Sequence, residues 1–409
     1  MKALVFGVDP GPVSVPKKAN RLQQHLASTP MAVQELADPE LLGDDWLVLR
    51  TRLCGICGSD SKQVMMDFDD SADNIMTALI SFPQVLGHEV VATVESTGPG
   101  VDDLSIGDRV VLYPSLGCGP RGLSPPCPAC AAGDFTLCHR FTEGDLQPGI
   151  HTGNSSDATG GFAELLPAHR SMVYPVSDDV PDEVAVLADP FSVSLHAVTR
   201  NPPPPGGRAL VYGAGALGSS ALAVLGALHP DVEVIAVARW ASQRALAADL
   251  GAALTSNDEA DVVVEEVAAW SGGVLHHPWE GLPFAHPGGI DVVYDTIGSP
   301  ESVEAGIRVL TARGTLVQLG VSSPGRFEWT PWYFKELRLV GSNAFGMETV
   351  EGQRAHAMEH YLDLVRAGRV DLSAMLTHTF RLDDWRDAFD ALASQQTSGA
   401  IKVAFDYRD

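Results

Sequence analysis

Four thiols stand within one short stretch of this chain: Cys118, Cys127, Cys130 and Cys138, spaced Cys-x8-Cys-x2-Cys-x7-Cys. Thiolates are soft, charged ligands, and four of them close a tetrahedral shell around zinc with no position left for water. The stretch is rich in loop formers (Pro114, Gly117, Gly119, Pro120, Pro125, Pro126, Pro128), so it has little apolar material with which to hold a shape. Metal binding substitutes for a core in such segments, at about 10–16 kcal/mol in zinc-finger systems. The plain alternative, four free buried thiols, is disfavoured by the clustering. A second set is dispersed: Cys57 in Cys-Gly-Ser-Asp, His88-Glu89 in Gly-His-Glu, and Asp189 in Ala-Asp-Pro. Dispersal suits a catalytic zinc, because ligands from separate elements leave one position open for water or substrate. Taken singly each residue is weak evidence. A lone histidine is more often structural, and Asp before Pro is more often a turn.

A third constellation concerns phosphate. Gly213-Ala214-Gly215-Ala216-Leu217-Gly218 reads G-x-G-x-x-G between an expected strand and an expected helix. In that context the glycines let the backbone approach a pyrophosphate, and the helix N-terminus supplies amide donors. Gly213, Gly215, Ala216, Leu217 and Gly218 are therefore expected to bind a dinucleotide. At the end of the next strand an NAD enzyme usually carries Asp or Glu for the ribose 2′-hydroxyl. Here Ala238 holds that position and Arg239 follows, with Arg244 close behind. A small neutral residue plus arginine suits a 2′-phosphate, so NADP is expected over NAD, although an arginine after a strand is often only solvated surface.

The elements that must position these groups follow two patterns. Up to about Val173 the chain reads as short strands and glycine turns, with Trp46 to Leu53 a strand that runs into Cys54 and Cys57. Asp182 to Arg200 reads as helix. Leu210 to Tyr212, Val232 to Ala238, Ile290 to Thr296 and Gly314 to Val321 then read as buried strands. Ala216 to Leu228 and Ser242 to Leu250 read as the helices between the first of them. Alternation of this kind argues for a parallel sheet covered on both faces. Mixed structure resumes from about Gly341. The expected fold is α/β plus mainly β, with a doubly wound domain, residues 191–341, inserted into a mostly β domain, residues 1–190 and 342–409.

Composition bounds the rest. The 409 residues are 45% hydrophobic, ample for a sizeable core, and the charge balance is 27 − 52 = −25. A surface this acidic repels nucleic acid and anionic membranes. The uncharged stretch from Ala209 to Leu228 is broken by four glycines and begins as a strand, which argues against a membrane span. The N-terminus, broken at Asp9-Pro10, does not read as a signal peptide. Six clustered cysteines point to metal in a reducing compartment, so a cytoplasmic location is expected.

In their order, Gly-Ile-Cys57-Gly-Ser-Asp60, Gly87-His88-Glu89, the four-cysteine lobe and Gly213 to Gly218 resemble the zinc-dependent medium-chain dehydrogenases, the family of alcohol, sorbitol and threonine dehydrogenases. The likeness continues through Lys335-Glu-Leu-Arg-Leu-Val-Gly341 and Ile401-Lys-Val. It implies a GroES-like catalytic domain, a Rossmann domain and two zinc ions per chain, one catalytic and one structural. It also implies Cys57, His88 and Asp189 as catalytic ligands, and Glu89 as an additional or alternating one. Cys54 would be a packed thiol. Ser59 would bind the substrate hydroxyl, and Lys62 stands where a relay histidine is common. The lobe carries extra residues from Gly119 to Pro126. The resemblance further implies a homodimer or homotetramer. A small alcohol or polyol, or the matching aldehyde or ketone, would be the substrate, with hydride passing to or from NAD(P). Met65, Met66, Phe68 and Trp332 are candidate pocket residues, equally readable as packing, and His276, His277 and Trp279 read as a surface or rim loop. Two alternatives are a metal-free enone or quinone reductase of the same superfamily, and an inactive zinc-stabilised NADP-binding protein.

Overall fold

The computed structural model describes residues 1–13, 19–66, 75–255, 258–322 and 325–408; Phe68 lies outside them. A six-stranded parallel sheet runs in the order Ala253–Leu254, Glu233–Val237, Arg208–Tyr212, Ile290–Asp295, Leu310–Gln318, Arg338–Gly341. Successive residues of its central strand face opposite cores. Ala209 and Val211 pack with Ala221, Leu222 and Val224 of the Ala216–Leu228 helix. Leu210 and Tyr212 pack with Val263, Val264 and Val267 of the Ala260–Ser271 helix. Helices on both faces explain why these strands are apolar throughout. From Arg208–Tyr212 the chain winds outward to Glu233–Val237, then returns to Ile290–Asp295 on the other side. That reversal places a crevice at the end of Arg208–Tyr212, where the glycine turn begins.

The mostly β unit is made from both ends of the chain. Its largest sheet runs Leu376–Phe380, Lys402–Asp406, Trp46–Gly55, Glu89–Thr97, Arg109–Leu112, Val173–Pro175, with Leu165–His169 also paired to Trp46–Gly55. Ala404 lies opposite Gly55, and Gly55 opposite Glu89. A smaller sheet holds Met31–Glu35, Lys2–Phe6 and Gln84–Val85. The core of the first sheet does not stop at the unit's edge. Leu53, Val91 and Val111 join one apolar cluster with Phe191, Leu195, Ala221 and Val224.

The structure differs from the sequence reading in two elements. The span from Asp182 to Arg200 is two helices, Asp182–Ala185 and Ala188–Arg200. Pro190 explains the break, since its ring clashes with the carbonyl four residues earlier, that of Val186, and confines it to a first turn. The strand expected from Gly314 starts at Leu310, and Arg313 takes a positive φ of 64° within it. Among the described residues no helix is long and apolar enough to cross a membrane.

Candidate active site and metal centres

Cys57 ends the Trp46–Gly55 strand's run and caps the Gly58–Val64 helix in an extended conformation. Asp60, three residues on, accepts from the Cys57 amide at 2.9 Å, which ties the thiol to the helix start. Gly87, with φ of 91°, turns the chain so that His88 and Glu89 enter the next strand. A side chain at Gly87 would strike Phe162 and the Cys54 sulfur. Cys54 itself is wholly buried in the β core, as a packed thiol would be. One donor atom each from Cys57, His88 and Glu89 lies within 4.8 Å of the others. His88 Nδ1 is 3.7 Å from Asp60 Oδ1, too long for a hydrogen bond. It has no other hydrogen-bond partner among the described residues. A thiol, an imidazole and a carboxylate brought this close form a donor set that suits zinc.

Lys402 went unread as a site residue in the sequence. It is buried, donates to the Ile56 carbonyl at 3.0 Å and is ion-paired with Glu89. Gly55 makes this possible. A Cβ there would come within 2.1 Å of Glu89 Oε2 and 2.9 Å of Lys402 Cε. The Ile401-Lys-Val ending was the only signal. Asp189 sits in the first turn of Ala188–Arg200, buried. Burial pushes its carboxyl up to about 7, with His88 opposing the rise and Glu89 adding to it. It faces the same charges as the three donors but is not one of the tight set. Glu89 thus lies in the tight set and Asp189, the expected ligand, outside it, with Glu89 also ion-paired to Lys402. His151, also unread, lies with its ring centroid 4.7 Å from that of His88, the two rings tilted against each other. Burial, then the neighbouring His88, holds it neutral, with its pKa down to about 3.

Ser59 is exposed at the helix start. Lys62, the expected relay group, lines a hollow with Ser61, Met65, Phe389, Leu392 and Ala393, against the Trp385–Ala393 helix. Trp332, a candidate pocket residue, stands on Thr330–Phe334 and donates to the Leu337 carbonyl at 3.0 Å, beside the edge strand of the parallel sheet. His276 lies in a short hairpin with Phe284–Ala285, and Trp279 at its tip is fully exposed.

In the lobe, all four cysteines are buried, and their sulfurs lie within 4.8 Å of one another. They are free thiols. Amides of Cys118, Cys127 and Arg140 donate to the sulfurs of Cys130, Cys118 and Cys138 at 3.3–3.5 Å, contacts that favour thiolate. Arg121, fully buried, donates to the carbonyls of Leu116, Glu143, Leu146, Gln147 and Gly149 and so knits the surrounding loops.

At the glycine turn, Gly213 takes a φ of 93°, and a Cβ on Gly218 would lie 1.8 Å from the Gly213 carbonyl. Gly215, the helix cap, has open space where its Cβ would be. This is a cradle of backbone for a pyrophosphate. Thr296 donates to the Tyr212 and Gly213 carbonyls at 3.0 Å, and Ser194 to that of Leu217 at 2.8 Å. Arg239 is largely exposed, pairs with Asp258 at 2.7 Å and lies over the Trp240 ring. Arg244 does not join it. Its donors go to the Ala238 and Arg239 carbonyls at 3.1 and 2.6 Å, where they brace the strand end instead of facing a phosphate.

The fold and these sites define a two-unit dehydrogenase of the zinc type. Residues 43–178 match the alcohol dehydrogenase GroES-like domain, and residues 216–364 match the zinc-binding dehydrogenase domain. The chain is 27% identical to D-arabinitol dehydrogenase 1 of Uromyces fabae over 90% of its length and 92% of that protein's. It is 27% identical to (R,R)-butanediol dehydrogenase of Saccharomyces cerevisiae, covering 90% and 93%. A zinc-binding dehydrogenase of Sinorhizobium meliloti, solved bound to NADP, is 28% identical with a TM-score of 0.69, covering 92% and 96%. The chain belongs to the zinc-type medium-chain dehydrogenase/reductase family. It is an oxidoreductase of alcohols or polyols that works with a nicotinamide cofactor.

Proposed function

We propose that this chain is a zinc-dependent dehydrogenase that passes hydride between NADP and an alcohol or polyol, or the corresponding aldehyde or ketone. Residues 1–190 and 342–409 form its catalytic unit and residues 191–341 its cofactor unit. The observation that carries the reading is the convergence of Cys57, His88 and Glu89 on one point. These three would hold the catalytic zinc, with Asp189 beside them, and the four lobe cysteines a structural one. Bound zinc supplies Lewis acidity to a substrate oxygen and eases loss of its proton. The chain's own part is placement. One helix carries both sites, with Asp189 near the donors and Ser194 on the glycine turn, five residues and about 7.5 Å along the axis. Ser59 Oγ hydrogen-bonds the substrate hydroxyl. Asp60 fixes the Cys57 backbone, and Lys402 holds Glu89. Lys62 has no part in this reading.

NADP preference rests on Ala238 and Arg239, since no acid stands at the strand end to take a 2′-hydroxyl; the NADP-bound relative supports it. Metal analysis tests the whole. Two zinc per chain are expected, one of them lost in Cys57→Ala together with NADP-linked turnover, while the lobe and the fold persist. A single metal that Cys57→Ala retains would overturn the assignment.

A further inference from the structure

His151 belongs to no motif, yet it is held firmly beside the donors. Its amide donates to Asn154 Oδ1 at 3.0 Å, and its carbonyl accepts from the Asn154 amide at 3.1 Å. The Leu116 amide donates to Ile150 at 3.1 Å, and that of Thr152 to Pro114 at 2.8 Å. The turn is thus sewn on both sides to the strand-like segment around Ser115. The imidazole lies with its centroid 4.7 Å from that of His88, tilted by 52°.

The tautomer follows from one contact. Nδ1 is 2.7 Å from the Thr152 carbonyl oxygen. A carbonyl only accepts, so Nδ1 carries the hydrogen, and Nε2 of the neutral ring is left with a lone pair. Nδ1 is the ring nitrogen that the backbone engages, and the side chain is only half-buried. The ring is also outside the tight set of Cys57, His88 and Glu89, so it is not one more donor for the same ion. An acceptor whose ring is fixed through Nδ1 and lies beside the His88 ring fits a hydroxyl group.

We propose that His151 is a specificity residue whose Nε2 accepts a hydrogen bond from a second substrate hydroxyl, on the carbon next to the one that loses hydride. The substrate class is then the vicinal diols and polyols, in preference to simple alcohols. The assignment rests on the dehydrogenase reading above. A fixed acceptor left unpaired by an analogue lacking the hydroxyl costs affinity, which is how such sites discriminate.

Three proteins test it: the wild type, His151→Phe, which keeps a ring against His88 but removes the acceptor, and His151→Gln, which restores one. Each is assayed for kcat and KM with 2,3-butanediol and 2-butanol, and for zinc content. The wild type prefers the diol. His151→Phe loses about tenfold in KM for the diol, with 2-butanol unchanged and both zinc ions kept. His151→Gln recovers part of the loss. Equal losses on both alcohols, or loss of a zinc, overturn the assignment while leaving the enzyme a dehydrogenase. A wild type inert toward every alcohol overturns the dehydrogenase reading itself, and this assignment with it.

Discussion

Lys402 and Glu89 form a pair of opposite charges with almost no solvent. Removing one partner leaves an uncompensated charge in the interior, which costs about 3–5 kcal/mol. Lys402→Met is therefore expected to lose stability on that scale in urea unfolding, and to lose activity. A melt equal to the wild type's would show that Glu89 finds another partner. Arg239 makes a different prediction. If it meets the 2′-phosphate, Arg239→Ala lowers the kcat/KM ratio of NADP to NAD by roughly 10- to 150-fold, from a charge-assisted contact of about 1.5–3 kcal/mol. A ratio unchanged in steady-state assays would return Arg239 to its partner Asp258. At this scale the sequence was uneven. Cys57, His88 and the lobe cysteines stood out because their types and spacing are those that metal chemistry demands, and the structure brings them together as two close groups. Lys402 and His151 were not, because what matters is where they land. Lys402 meets the Ile56 carbonyl across 346 positions, a distance that no local pattern records.

Among the elements, the Met347–Val350 and Gln353–His356 hairpin clamps the lobe to the Ala188–Arg200 helix. Met347 donates to Gly133, and Arg354 to Ala132. Glu348 accepts from His196 at 2.5 Å, Thr199 at 2.8 Å and Arg200 at 3.2 Å. Burial opposes the charge on Glu348, but these donors outweigh it and hold its carboxyl below the usual value. A folded pKa below the unfolded one means that the unfolded chain binds more protons. The stability from Glu348 is thus present above the unfolded value, about 4.3, and lost as the pH falls through the folded one. Melting temperature scanned downward from about pH 6 should fall less steeply in Glu348→Gln than in the wild type; parallel curves would remove Glu348 from the acid response. Element boundaries were legible where one signal dominated. The Ala216–Leu228 helix follows its glycines, and its bounds were read directly. The reading failed where two signals competed. The apolar run from Asp182 to Arg200 hid the veto of Pro190, and polar Thr311 to Arg313 masked the start of the Leu310–Gln318 strand.

Across the whole molecule, two units share one continuous apolar cluster, and Trp46–Gly55, the first strand of the larger β sheet in chain order, pairs with Lys402–Asp406, the last. The alternation of strand and helix gave the parallel unit away, whereas closure of the other sheet by residues 402–406 is a matter of topology. The helix Ala188–Arg200 runs through this arrangement like an axle. Its first turn carries Asp189, Ser194 touches the glycine turn, and its last turn holds Glu348. A shared helix is a route by which occupancy at one end can be felt at the other. By reciprocity, whatever factor the metal contributes to nucleotide affinity, the nucleotide returns to the metal. On the proposed reading, saturating NADP should tighten the hold of a zinc at Cys57 and His88 in a chelator titration, and leave the affinity of a zinc on the lobe cysteines, held on their own loop, unchanged.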